Sequence, residues 1–180
     1  MEKDIFNTQK SDYNQPSLFL GEEMGLVDSI HKHYPKLWNL YKKLKAQDWD
    51  ENEFDLSTCN NDFKTCSKNI YEMMLLTLAW QWEADSIASR TLYSIAAPFI
   101  SSTELSCLYP EIVSNENVHA LTYSEIFRNS FDDTDSIIPM VQSLSEVVQR
   151  SEIVTKVFKE TYDVGHKLSL GELDRGNPIA

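Results

Sequence analysis

Residues 66–95 read as one long helix that is apolar almost all the way round. Ile70, Met73, Met74, Leu75, Leu78, Trp80, Trp82 and Ala84 spread over most of a helical circumference, whereas a surface helix keeps one polar side. Such a helix must be surrounded by others, so the stretch predicts a central helix ended at Ala97-Pro98. Asp85 stands inside it. A carboxylate flanked by apolar turns is costly unless it is paired, hydrogen-bonded or bound to a metal. The alternative is an acid at the surface that points out to water.

No stretch of any length alternates apolar and polar residues as a half-buried strand would, and no repeat or low-complexity segment intervenes. The fold class is therefore all-α. Residues 1–18 read as an extended polar arm, and residues 19–180 as one helical domain opened by the apolar anchor Leu18-Phe19-Leu20-Gly21. Pro35 suits the first turn of a helix that runs through Leu37, Trp38, Leu40, Tyr41 and Leu44. Residues 47–52 and 55–62 read as loop. Ser101 with Glu104 has the spacing of a capping box, opening a second long helix to about Asn129. Pro110 inside it should kink or divide it. Asp132-Asp133-Thr134-Asp135 reads as an acidic turn that caps the next helix. One or two helices are expected, over residues 137–148 and then from 153 to about 162, with loop character from Gly165 on.

The 16 Lys and Arg against 28 Asp and Glu leave a net charge of −12. No basic cluster offers a phosphate footprint, so nucleic acid is not an expected partner. No apolar run reaches the roughly 20 residues of a spanning helix. The start MEKDIFNTQK lacks a basic region followed by an apolar one, so a soluble cytoplasmic protein without a membrane partner is expected. Cys59, Cys66 and Cys107 make an odd count without zinc-type spacing, which predicts free thiols in a reducing compartment.

The residues with chemistry are few. In Glu116-Asn117-Val118-His119, with Tyr123 one turn on, positions i, i+3 and i+7 put a carboxylate, an imidazole and a phenol on one helical stripe. Glu-x-x-His is the helical ligand unit of di-iron and di-manganese carboxylate bundles, which need two such units and two further carboxylates. This chain has one. The same spacing serves an ordinary exposed polar pair, and Tyr123 an ordinary packing role. Trp49, in an acidic segment, reads from composition alone as a packing residue. His31 and His33, two apart, diverge on a helix and are expected in solvent. His166 has no carboxylate or histidine partner at ligand spacing. Nothing matches a glycine-rich phosphate loop, a nucleophile elbow or a zinc helix.

In chain order, Leu18-Phe19-Leu20-Gly21, Trp49, Trp80-Gln81-Trp82-Glu83-Ala84-Asp85-Ser86-Ile87, Glu116-x-x-His119-x-x-x-Tyr123 and Ile126-Phe127-Arg128-Asn129 resemble a known family. It is the small, radical-generating subunit of class I ribonucleotide reductase, in its first half. The resemblance implies a ferritin-like helical bundle, here incomplete. It also implies a dinuclear iron (sometimes manganese) site that reacts with oxygen and leaves a stable tyrosyl radical. By this resemblance Asp85, Glu116 and His119 are metal ligands, with Glu116 bridging, and Tyr123 is the radical residue. Trp49 would carry electrons toward the large subunit, where ribonucleoside diphosphates become deoxyribonucleotides. The family's second half adds a further glutamate and a second Glu-x-x-His, and after His119 this sequence offers only His166. The expectation is therefore part of a ribonucleoside-diphosphate reductase small subunit, completed by a second-half chain. Two alternatives stand beside it: a helical remnant without metal, and a homodimeric di-iron carboxylate oxidase using two copies of Asp85 and Glu116-x-x-His119.

Overall fold

The structure is a computed structural model in which residues 6–7 and 17–176 are described. The expected arm over residues 1–18 lies almost wholly outside the described residues. Those residues form six α-helices and no β-strand, only an isolated antiparallel bridge between Phe19 and Ile100. The helices are α1 (Pro35–Lys45), α2 (Cys59–Thr65), α3 (Lys68–Ala96), α4 (Thr103–Ser130), α5 (Ile137–Gln142) and α6 (Ser145–Ser169). None of them is long and apolar enough to cross a membrane. The three cysteines are unpaired. The chain divides into two compact units.

The first unit comprises the residues up to Asp48, Arg90–Val113 and those from Val157 on. Its core is Ile100, Leu105 and Leu108, against which Leu37, Tyr41 and Leu44 of α1 pack. Pro35 begins α1 as its spacing predicts. The Leu18–Gly21 anchor is tied to the end of the α3–α4 connection. Leu20 N–H donates to the Phe99 carbonyl at 2.7 Å, and Ser101 N–H to that of Leu18 at 3.0 Å. Gly21 N–H donates to Ser101 Oγ at 3.0 Å, and a Cβ at Gly21 would lie 2.9 Å from that oxygen, so glycine is required there.

This tie changes the expected capping box. Ser101 donates its hydroxyl to the Ser17 carbonyl, and Ser102 caps α4 instead, accepting from Leu105 N–H at 3.3 Å. Glu104 does not return to its own helix start alone. Its Oε1 accepts the Tyr34 N–H at 3.2 Å, at the entrance of α1, where Tyr34 supplies no side-chain cap. Further along, α6 runs past Gly165, because a side chain there would meet Pro98 Cγ at 3.0 Å. The helix ends instead at Gly171, whose φ is 71°. Gly171 N–H bonds to the Leu168 carbonyl and Glu172 N–H to that of Lys167, a Schellman end.

The second unit comprises Trp49–Ser89 and Ser114–Lys156. Its core is Ala79, Phe127, Ile137, Val141 and Val147. Trp82 stacks on Phe127 at 5.4 Å and Phe127 on Phe131 at 5.9 Å, which ties α3 to α4. The polar stretch read as loop contains α2. One buried apolar residue, Phe63, holds that helix against Phe131, helped by the Lys64–Asp132 ion pair. A seven-residue helix with a single apolar anchor has no periodicity to read.

Helix α3 has nearly the expected bounds, yet it is not enclosed. Ala79 is its only buried residue among those described, while Ile70 is 46% and Met73 62% exposed. Helix α4 runs unbroken through Pro110, which removes a single N–H donor near the helix start. The expected break near residue 150 falls instead at Ser143-Leu144, between α5 and α6. The acidic turn does not cap α5, whose N-cap Ser136 has no side-chain cap. Asp133 Oδ1 accepts within the turn, from Asp135 N–H.

Candidate metal centre

Asp85 comes from α3, and Glu116 and His119 from α4 one turn apart, all within the second unit. The i, i+3 spacing puts Glu116 and His119 on one side of α4, and the Trp82–Phe127 stack, one turn from Asp85 on α3 and about two turns from His119 on α4, ties the two helices beside the site. One ligand atom from each of the three side chains lies within 4.8 Å of the others. His119 Nδ1 is 3.4 Å from Glu116 Oε2 and 3.7 Å from Asp85 Oδ2. Both separations exceed that of a good hydrogen bond. The side chains of Asp85 and Glu116 are 21% and 24% exposed, and that of His119 38%. Asp85 is therefore not directed into bulk water, and its hydrogen-bond partner is a second acid, Glu116, and not the imidazole.

Electrostatics bear out that tension. Burial, then the charge of Glu116, push the Asp85 carboxyl above its ordinary value, and His119 acts the other way. Burial, then the charges of Asp85 and Glu116, also push the phenol of half-buried Tyr123 upward. Two carboxylates that repel each other beside one imidazole fit a divalent cation such as iron or manganese, which accept oxygen and nitrogen donors together. The three residues are a group that could hold one ion. They are half of the donor set that a dinuclear bundle site uses.

Trp49 lies against this cluster, its ring 5.6 Å from the His119 ring and tilted by 37°. Phe54, which sequence reasoning passed over, meets Trp49 edge-on at 5.4 Å. A signal was present in Asp50-x-x-Glu53, whose capping-box spacing was hidden inside a segment read as loop. The other histidines belong to the first unit. His31 is exposed and bonds Asp28 at 3.0 Å, and exposed His166 stacks on Tyr162. His33, expected in solvent, instead has Nε2 buried with no hydrogen-bond partner.

Residues 28–171 match the family described as "Ribonucleotide reductase, small chain". The ribonucleoside-diphosphate reductase small chain of Plasmodium falciparum (isolate Dd2) is 28% identical over 114 residues, which cover 63% of this chain and 33% of that one. The ribonucleotide reductase R2 subunit from Clostridium botulinum aligns with a TM-score of 0.78 at 18% identity, covering 92% of this chain and 56% of that one. The dimanganese(II)-NrdF of Streptococcus sanguinis aligns with a TM-score of 0.65 at 17% identity, covering 80% and 52%. The chain thus spans 33% to 56% of the length of these three proteins. The two structural likenesses show the fold, a ferritin-like helical one matched in part. With residues 28–171 accounted for, the chain belongs to the ribonucleotide reductase small chain family.

Proposed function

We propose that this chain is the N-terminal part of a cytoplasmic ribonucleoside-diphosphate reductase small subunit, housing half of a dinuclear iron or manganese site and the tyrosine that stores a radical for deoxyribonucleotide synthesis. The observation that carries the reading is the convergence of Asp85 from α3 with Glu116 and His119 from α4, one turn from Tyr123. Asp85, Glu116 and His119 would hold one ion, with the Glu116 carboxylate the group that would be shared with a second. Iron or manganese, when bound, supplies with oxygen the oxidising power needed to remove an electron from a phenol.

The chain's own residues shape the rest. Tyr123 stays a neutral phenol because burial and the two nearby acids oppose its ionisation. Losing an electron then requires losing the proton as well, and the Asp85 carboxylate, whose charge already acts on the phenol, is suited to receive it. The half-buried surroundings of Tyr123 limit access by solvent reductants. Trp49, against His119, would pass electrons between this site and the large subunit. The missing donors would come from a complementary second-half chain, and the uncovered apolar positions Ile70 and Met73 on α3 favour such a partner.

The test combines this chain with the second half of a related small subunit, then adds ferrous iron and oxygen. A tyrosyl radical signal in electron paramagnetic resonance, absent from Tyr123→Phe, is the expected result. A radical or oxidase activity from this chain alone would favour the homodimeric oxidase. Absence of bound iron and of any radical under every pairing would leave only the metal-free remnant.

A further inference from the structure

Trp49 sits on a turn built to hold its ring still. Residues Glu51–Glu53 form one turn of 3-10 helix with Asp50 at its N-cap. Asp50 Oδ1 accepts from Asn52 N–H at 2.8 Å, and Glu53 Oε1 accepts from Asp50 N–H at 3.1 Å. Both halves of a capping box are present. The residue before the cap is Trp49 and the residue after the turn is Phe54, and their rings meet edge to face at 5.4 Å. An apolar pair straddling a capping box is a hydrophobic staple, which fixes the angle at which the chain enters the turn. Phe54 is 53% exposed, so burial in a core does not explain its place. What it does contact is the indole, and the indole's other neighbour is the His119 ring at 5.6 Å.

We infer that Phe54, with the Asp50–Glu53 capping box behind it, is a positioning residue that clamps the Trp49 indole onto His119. This rests on the reading of His119 as a metal ligand and Trp49 as its electron-transfer neighbour, and it adds what holds the two rings in register. A loop tryptophan with free rotamers would sample many distances to His119, and the staple reduces them to one. Only the Trp49–Phe54 edge and the two cap hydrogen bonds need be present for the clamp to work, so it operates with or without a metal.

The test uses the whole chain labelled with 5-fluorotryptophan, without metal, giving fluorine resonances for Trp38, Trp49, Trp80 and Trp82, with Trp49→Phe assigning its own. His119→Ala should move the Trp49 resonance by more than a linewidth, because it removes the facing ring. Phe54→Ala should also move that resonance, leave the other three in place, and abolish its response to His119→Ala. Glu53→Ala, which removes the acceptor of the Asp50 N–H and leaves both rings intact, should move it in the same direction by less. The inference is overturned if Phe54→Ala leaves the Trp49 resonance unmoved or still fully responsive to His119→Ala. If Phe54→Ala displaces all four resonances, Glu53→Ala decides, and a Trp49 resonance unmoved there overturns the clamp. A separate arm adds manganese(II), whose unpaired electrons broaden nearby resonances. Failure to broaden Trp49 first would defeat the metal reading while leaving the clamp standing.

Discussion

Two acids, one in each unit, sit in opposite circumstances. Glu104 in the first unit is 2% exposed, and burial alone would raise its pKa. Hydrogen bonds from its own N–H, the Ser102 hydroxyl and the N–H groups of Tyr34 and His33 outweigh that and hold it below its ordinary value. Asp85 in the second unit has a more exposed side chain, yet its pKa is raised: burial acts first and the charge of Glu116 next, and His119, 3.7 Å away, only partly offsets them. Depth of burial does not by itself set the direction of a carboxyl's shift. The donors around it do. Glu104 is surrounded by hydrogen-bond donors, whereas Asp85 and Glu116 lie beside each other with His119 as their shared basic neighbour.

The contrast breaks most visibly at Glu104. Glu104→Ala should destabilise the chain by about 3 kcal/mol in urea titrations, since hydrogen bonds to a charged group are each worth roughly 1.5–3 kcal/mol and their donors would be left buried. A loss under about 1 kcal/mol would deny that the acid ties α1 to α4. In the same unit, Gly165→Ala forces a methyl to 3.0 Å from Pro98 Cγ and should cost about 1–3 kcal/mol by the same measurement. Asp85→Asn should go the other way in the metal-free chain, stabilising it at neutral pH by up to about 1 kcal/mol through relief of a repelled charge.

Acidification sharpens the same comparison with a smaller effect. The pKa of Glu104 lies below its ordinary 4.5 in the folded chain, so its contribution is complete above 4.5 and lost as pH falls through the lower folded value. The pKa of Asp85 lies above its ordinary 3.8, so its penalty is present at neutral pH, eases as pH falls through the raised value and is gone below 3.8. Stability measured against pH should therefore rise slightly on mild acidification and fall on stronger acidification. Asp85→Asn should flatten the rise, and Glu104→Gln the fall.

The sequence showed the parts of the site that share a helix. Glu116, His119 and Tyr123 follow from spacing on α4, and Asp85 stood out because its flanks on α3 are apolar for several turns. Relations across loops were not visible. The approach of Trp49 to His119 depends on a turn whose capping box lies in a polar segment, and nothing in periodicity reveals it. Glu104 had the spacing of a local capping residue, but its decisive partner, Tyr34, is 70 residues away. Helix α2 and the true start of α6 were missed for a related reason. Short or polar helices are fixed by tertiary anchors such as Phe63 and Val147, not by a pattern of their own.

The central claim is that Asp85, Glu116 and His119 form a metal half-site, and manganese(II) binding followed by electron paramagnetic resonance tests it directly. The chain should bind the ion saturably, and His119→Ala or Asp85→Asn should weaken binding by at least about 100-fold, beyond what loss of an outer hydrogen-bond partner does. Glu104→Gln should leave the affinity unchanged. Equal binding by the parent chain and Asp85→Asn, or no saturable binding at all, would contradict the account.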